Sequence, residues 1–594
     1  MLDALRAAVW WIALRAGVVK GAAGLAASKP DPEALGLLRA WQRRALVEYL
    51  RRSATDFTAV ATPGAGKTTF ALRIAAELLL DGTVDAVTVV APTEHLKAQW
   101  SAAAARAGIQ LDAAFRNADL HSAADFHGAV VTYAQVGAAP SVHARRTAAR
   151  RTLVVLDEIH HAGDSRTWGD AAAAAFAPAV RRLLLTGTPF RSDDNPIPFV
   201  TYEPDRDGVL RSRADSTYGY ADALADGVVR PVIFLAYSGE ARWRTSAGEE
   251  LAARLGEPMT QEQVASAWRT ALDPAGDWLP QVLRAADARL QVLRDGGMAD
   301  AGGLVIATDQ AAARAYGRLL SRVAGEPPAV VVSDDAGASA RIASFAASRQ
   351  RWLVAVRMVS EGVDIPRLAV GVYATSAATP LYFAQAVGRF VRARRPGETS
   401  SIFLPSVPTL LALAAQLEEQ RDHVLALERS GLDEEAWERA RRQESEAGER
   451  RDGFQALSAT AELDQVIFDG ATFGTPVRTG TPEEQDYLGL PGLLTPEEVA
   501  MLLRRRQAEQ QAAQAGRQAA GGSDGERRPG VAERRVALRR QLNALVAAHH
   551  HRTGLPHGKI HAELRRRCGG PPSAQATIAQ LEARIAALQE ISAR

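Results

Sequence analysis

Two clusters of residues in this chain have the types and spacing that phosphate chemistry requires. The first is ATPGAGKT at 61–68. Gly64 and Gly66, with Ala65 between them and Thr69 just beyond, let the backbone curl so that successive N–H groups face one anion. Lys67 would neutralise the outer phosphates, and the Thr68 hydroxyl suits Mg²⁺. Ala61 stands where the first glycine of such loops usually is. The second cluster is LVVLDEIHHAGD at 153–164. An apolar strand ending in Asp157-Glu158 puts two carboxylates at the carboxyl edge of a sheet, where α/β proteins bind ligands. Asp157 is expected to hold Mg²⁺ through water, and Glu158 to orient and activate the attacking water. His160 would couple the site to neighbouring elements. Phosphoryl transfer needs this kind of positioning and charge neutralisation, so ATP and Mg²⁺ are the expected cofactors.

A loop and a carboxylate pair can act together only if a sheet holds them on one edge. Thr58–Ala61, Val87–Val90, Ala129–Val131, Leu153–Leu156 and Leu183–Leu185 read as short apolar strands, with helices over Leu38–Leu50 and from about Thr68 to Leu80. The rhythm returns at Leu304–Ala307, Ala329–Val332, Trp352–Val356, Ala369–Tyr373 and Ser401–Leu404, with helices near 311–322, 337–347 and 381–392. Apolar runs alternating with helices predict α/β lobes with parallel sheets. The expected organisation is an N-terminal extension (1–30), a first lobe (31–205), a helical insertion (206–300) and a second lobe (301–410). An acidic helical region (411–513), a flexible Gly-rich linker (514–530) and a small basic helical module (531–594) would follow.

Composition narrows the partners. Hydrophobic residues make up 47% of the 594 and charged residues 23%, so a sizeable core forms. The one cysteine, Cys568, excludes an intrachain disulfide and a cysteine-cluster zinc site. That fits a reducing compartment, and a cytoplasmic location is expected. No apolar run reaches the ~18 residues of a membrane span, so no membrane partner is expected. Ala7–Leu14, flanked by Arg6, Arg15 and Lys20, reads as a short amphipathic helix or an upstream extension rather than a secretory signal. Net charge is only +2, but about 20 acids oppose 8 bases over 415–500, and about 17 bases oppose 7 acids over 504–594. The basic end, with Arg534, Arg535, Arg539, Arg540 and Arg565–Arg567, suits an accessory nucleic-acid-binding or partner-docking module, or solvated helix faces. His557 and His561 stand four apart and could pair on a metal, but no carboxylate or second cysteine completes a set.

The DEIH box after that phosphate loop resembles the DExH branch of the superfamily 2 helicases and translocases. Other segments follow in the family's order. Leu38-Arg39-Ala40-Trp41-Gln42 resembles the adenine-reading element, with Gln42 the adenine ligand. APTEHLKAQW at 91–100 resembles the first strand-contacting motif, through Pro92 and Thr93, and VTYAQV at 131–136 the next, through Thr132. LTGTPFRSDD at 185–194 resembles the coupling motif, with Thr186 and Thr188 in its hydroxyl positions and Arg191 toward nucleic acid. ADGVVRPVIF at 225–234 resembles a segment that follows the first lobe in translocases of this branch. VRMVSEGVDIPR at 356–367 resembles the motif linking ATP, through Gly362 and Asp364, to the nucleic-acid track, through Ser360. QAVGRFVRARR at 385–395 resembles the arginine-finger motif. There the spacing i, i+4, i+7 puts Gln385, Arg389 and Arg392 on one face of a helix.

The resemblance covers about 30–410 and is nearest in motifs to the TFIIH-translocase and restriction-enzyme motor branch. It implies two tandem RecA-like lobes. The function it implies is that of an ATP-dependent DNA helicase or double-stranded DNA translocase, coupling Mg-ATP hydrolysis between the lobes to movement. DNA is favoured over RNA by the FRSDD run at 190–194, which is similar to runs in members acting on duplex DNA. Two alternatives stay open. One is an RNA helicase or ribonucleoprotein remodeller. The other is an ATP-gated nucleic-acid-binding subunit of a larger repair or defence complex. No carboxylate–lysine cluster outside these motifs suggests a nuclease.

Overall fold

The computed structural model describes residues 29–119, 123, 125–160, 166–187, 196–204, 210–245, 250–257, 259–332, 337–356, 365–415, 424–425, 455–520, 557–569 and 578–593, with single positions between 538 and 549. The expected N-terminal extension lies almost wholly outside them. Contacts divide the chain into two compact units. One runs to Leu255 and from Trp268 to Gln507, and the other joins Gly256–Ala267 to residues from Ala508 onward.

The first unit is built on two large sheets, beside a small three-stranded one of Thr201–Pro204, Leu210–Arg213 and Val424–Leu425. Strands β1 (Asp56–Ala61), β2 (Ala86–Ala91), β3 (Leu111–Asp112), β4 (Gly128–Thr132), β5 (Thr152–Asp157) and β6 (Arg181–Thr186) form one parallel sheet with Ser216–Tyr218. Its order is β3-β4-β2-β5-β6-β1, with Ser216–Tyr218 beside β1. Every residue of β2, β4 and β5 is buried, as expected where helices cover both faces of a parallel sheet. Val131, Val154, Leu156 and Leu184 pack with Phe115 and Phe176 in one core. Because the strands run parallel, the residues after β1, β2, β4, β5 and β6 all emerge on one edge.

The second sheet carries the parallel strands Ala329–Val331, Trp352–Val356, Gly302–Ala307, Leu368–Ala374 and Ser400–Pro405, in that spatial order, and then Val232–Arg244. That last strand has 13 residues. Its first half runs parallel to Ser400–Pro405, from Val232 opposite Ser400 to Tyr237 opposite Pro405. Its second half pairs antiparallel with Glu250–Leu255 and Gln455–Ala459. Between the halves Gly239 has φ +153, and a Cβ there would stand 1.5 Å from the Thr460 carbonyl oxygen. Only a residue without a side chain lets the two backbones pass this closely.

Four expectations meet a different structure. Residues 206–300, read as a helical insertion, supply this long strand to the second sheet. Its burial is continuous over 232–239 and alternates afterwards, as a strand buried on two faces and then on one must. The region 411–513, expected as helical, contains strands over Gln455–Ala459, Glu462–Phe468 and Ala471–Phe473, which extend the same sheet. The start of the expected linker is helical, because Pro496–Ala520 is one helix. Its alanine, glutamine and arginine content favours helix and outweighs Gly516. The helix expected over 381–392 spans only Pro380–Val387. Gly388 follows it, and the chain then turns into a bridge between Arg392 and Val229.

In the second unit the helices His557–Cys568 and Ile578–Ala593 pack through Ile560 and Leu564 against Leu581, Ile585 and Leu588. Arg565, Arg566 and Arg567 fill the last turn of the first helix, where positive charge complements the helix dipole. The side chains of His557 and His561 lie outside the described residues. No described helix is long and apolar enough to cross a membrane.

Candidate functional site

The phosphate loop leaves β1 through Thr62 and Pro63. Gly64 and Gly66 adopt φ +82 and +91, the left-handed region that only glycine enters freely. Gly66 then begins the helix Lys67–Leu80. Three residues at the start of the helix Ala40–Arg52 hold the loop by three consecutive carbonyls. Arg39 Nη1 donates to Gly64 O at 2.8 Å, Trp41 Nε1 to Ala65 O at 3.0 Å and Gln42 Nε2 to Gly66 O at 2.9 Å. Gln42 Oε1 also accepts from the Arg39 N–H. Gln42, expected at adenine, is therefore a buried brace of the loop, with one amide hydrogen and one lone pair to spare. Arg39 and Trp41 are site residues that sequence reasoning missed. Their signal was the run of long polar and aromatic side chains immediately before Gln42.

Lys67 extends from that helix. Its Nζ lies 2.9 Å from Glu158 Oε1 and donates to Ala61 O at 3.1 Å. Glu158 Oε2 accepts the Gly187 N–H at 3.0 Å. A Cβ at Gly187 would stand 2.9 Å from Lys67 Nζ, so a side chain there would make the ammonium shift. Burial by itself would raise the Glu158 carboxyl. The Lys67 ammonium and then His160 outweigh it and hold the group well below the usual carboxylate range. Glu158 also has φ +48, a left-handed conformation that costs a non-glycine residue about 1–3 kcal/mol and persists where surrounding bonds over-determine it.

Asp157 ends β5 and is buried. Its Oδ2 accepts Trp100 Nε1–H at 2.8 Å, and its carbonyl accepts Tyr133 Oη–H at 3.0 Å. His160 is buried between the lobes. Its Nδ1 lies 2.9 Å from Thr186 Oγ1, and its Nε2 3.4 Å from Gln385 Nε2. Its two ring nitrogens thus face one group from each lobe.

Arg389 and Arg392 reach the same place although the helix expected to align them ends at Val387. They line a cavity of about 420 Å³ with Gly64, Gly66, Lys67, Thr68, Asp157, Glu158, His160 and Gln385. A Cβ at Gly64 would stand 3.3 Å from Arg392 Cγ, and one at Gly388 2.8 Å from Pro63 Cγ. Burial pushes Arg392 down to about 10, so it is a cation at neutral pH.

A buried ion pair fixes the segment carrying these arginines. Arg230 and Glu398 are both fully buried and 3.3 Å apart. Arg230 Nε donates to Phe390 O at 2.6 Å, its Nη2 to Leu368 O, and its backbone N–H to Val391 O at 2.8 Å. Glu398→Ala leaves that guanidinium uncompensated and lowers unfolding stability by about 3–5 kcal/mol. Urea denaturation followed by circular dichroism measures it, and an unchanged midpoint would show that the pair is dispensable.

Pro92 lines the cavity wall, and Thr93 caps the helix Glu94–Arg106. Thr132 caps Tyr133–Ala138 and is buried. Thr188, Arg191, Ser360, Gly362 and Asp364 lie outside the described residues. Among the described residues no group of three or more His, Cys, Asp or Glu could hold a metal by itself. Thr68 and Asp157 nevertheless fit Mg²⁺, which takes one or two protein oxygens and completes its shell with water and phosphate.

The family model for the type III restriction enzyme res subunit matches residues 36–191, from the brace of the phosphate loop to the segment after Thr186. That match spans about a quarter of the chain. The chain is 60% identical over 564 residues to uncharacterized protein MT2985 of Mycobacterium tuberculosis (strain CDC 1551 / Oshkosh), covering 93% of each chain. Among solved structures, the type ISP restriction-modification enzyme LlaBIII bound to DNA matches at 17% identity and TM-score 0.43, over 62% of this chain and 28% of that one. Dbp5 of S. cerevisiae bound to RNA and ADP BeF3 matches at 14% and TM-score 0.42, over 66% and 95%. The two parallel sheets resemble RecA-like lobes.

Proposed function

We propose that this protein is an ATP-dependent DNA helicase or double-stranded DNA translocase of superfamily 2, with Mg-ATP hydrolysed between its lobes. One observation carries the reading: Arg389 and Arg392 of the second lobe line the same cavity as Lys67, Asp157 and Glu158 of the first. Thr68 and Asp157 would hold Mg²⁺, which neutralises phosphate charge. The loop N–H groups and Lys67 bind the phosphates, and the spare hydrogen and lone pair of Gln42 read adenine. Lys67 is drawn from Glu158 toward the incoming phosphates. Glu158, released from its ion pair, accepts the proton of the attacking water. Arg389 and Arg392 stabilise charge on the transferring phosphoryl group, so hydrolysis depends on the lobes being closed. The His160 ring, bonded to Thr186 and Gln385, signals that closure across the cleft.

The nucleic acid is read by the segments at Pro92–Thr93 and Thr132, with Arg191 and Ser360, and DNA is favoured by the FRSDD run. The exposed Arg565–Arg567 turn of the C-terminal unit would add phosphate contacts or dock a protein partner, in the cytoplasm. Steady-state ATPase activity is measured alone and with duplex DNA, single-stranded DNA and RNA. Stimulation by DNA and not RNA is the expected result, with duplex above single strand if the protein translocates without unwinding. Greater stimulation by RNA would make it an RNA motor. No stimulation by any of them would remove the nucleic-acid assignment for the isolated chain.

A further inference from the structure

Asp157 is held at two points by elements that begin elsewhere on the sheet edge. Trp100 lies in the helix Glu94–Arg106, which Thr93 caps, and its buried Nε1–H donates to Asp157 Oδ2 at 2.8 Å. Tyr133 opens the helix that Thr132 caps, and its buried hydroxyl donates to the Asp157 carbonyl at 3.0 Å. An indole N–H can only donate. Its bond to a carboxylate is charge-assisted and directional. A phenylalanine would fill most of the same apolar space, so packing alone does not call for an N–H at this position. In metal sites, losing a partner that orients a ligating group typically costs about 10–100-fold in metal affinity.

We propose that Trp100 is a positioning residue for the magnesium site: it fixes Asp157 in the orientation that accepts Mg²⁺. The metal's hold thereby depends on the helix that starts at the first strand-contacting segment. The inference rests on the nucleotide-binding reading above and deepens it.

The test is binding of a fluorescent ADP analogue (mant-ADP) to the full-length protein as Mg²⁺ is titrated, with EDTA as the metal-free reference. For Trp100→Phe the Mg²⁺ midpoint is expected to rise about tenfold or more, with affinity in EDTA unchanged. 3-Benzothienylalanine at position 100 keeps the shape of the indole and lacks only the N–H. It should give the same rise, and it serves as the test if Trp100→Phe does not fold. A midpoint equal to wild type in the folded benzothienyl protein would overturn the positioning role. A lower affinity in EDTA with an unchanged midpoint would overturn it too, because that pattern reports packing. A wild type that binds mant-ADP neither with nor without Mg²⁺ would instead defeat the nucleotide-binding reading itself.

Discussion

Glu158→Gln binds ATP about as well as the native chain and hydrolyses it roughly 10²–10⁴ times more slowly, the usual contribution of a positioned acid–base group. Glutamine has the shape of glutamate, and its Oε1 can still accept the Gly187 N–H that Glu158 Oε2 accepts at 3.0 Å. It cannot take a proton from water. It also cannot pair with Lys67, whose ammonium sits 2.9 Å from the native carboxylate. Lys67 is then free for phosphate before the nucleotide arrives, so affinity should hold or rise while turnover falls. Single-turnover hydrolysis and mant-ATP titration separate the two quantities. Hydrolysis within threefold of wild type would remove Glu158 from the chemistry. A parallel loss of binding would mean that the ion pair with Lys67 builds the loop.

Arg392→Ala is expected to cost about 10³–10⁵ in turnover, the range found where an arginine stabilises a transferring phosphoryl group. The side chain is delivered from outside the first lobe, passes Gly64 with its Cγ and lines the cavity that holds Glu158. Arg392→Lys should rescue little, because a single ammonium cannot reproduce the planar fork. Most of the nucleotide contacts come from the first lobe, so affinity for mant-ADP should change far less than turnover. The same single-turnover assay reads the effect. A loss under tenfold for Arg392→Ala, with a large one for Arg389→Ala, would exchange the roles of the two arginines.

Much of the site was legible because its signals are local. The loop glycines, Lys67 and the carboxylates at the end of an apolar strand fall within short windows, and five of the first sheet's seven strands lie within a residue or two of the apolar runs that announced them. The helix end at Val387 was not legible. Nothing within QAVGRFVRARR stops a helix except Gly388, and the turn is imposed by Val229 and Arg230, about 160 residues earlier in the chain. The bond from Trp100 to Asp157 spans 57 residues and has no periodic signature. The strand Val232–Arg244 did have one, a continuous apolar run passing into alternation. Its position between the two lobes in sequence disguised it as an insertion.

That strand has a mechanical consequence. At ~3.3 Å per residue, its 13 residues make a beam of roughly 40 Å, anchored at one end in the parallel sheet of the second lobe and at the other among antiparallel strands. A beam without a break does not hinge. Gly239 supplies the close passage past Thr460, and hydrogen-bonded neighbours flank it on both sides. The antiparallel strands over 250–255 and 455–473 therefore travel with the second lobe as one body. Any displacement at the nucleotide cleft is magnified at their far end in proportion to the length of the lever.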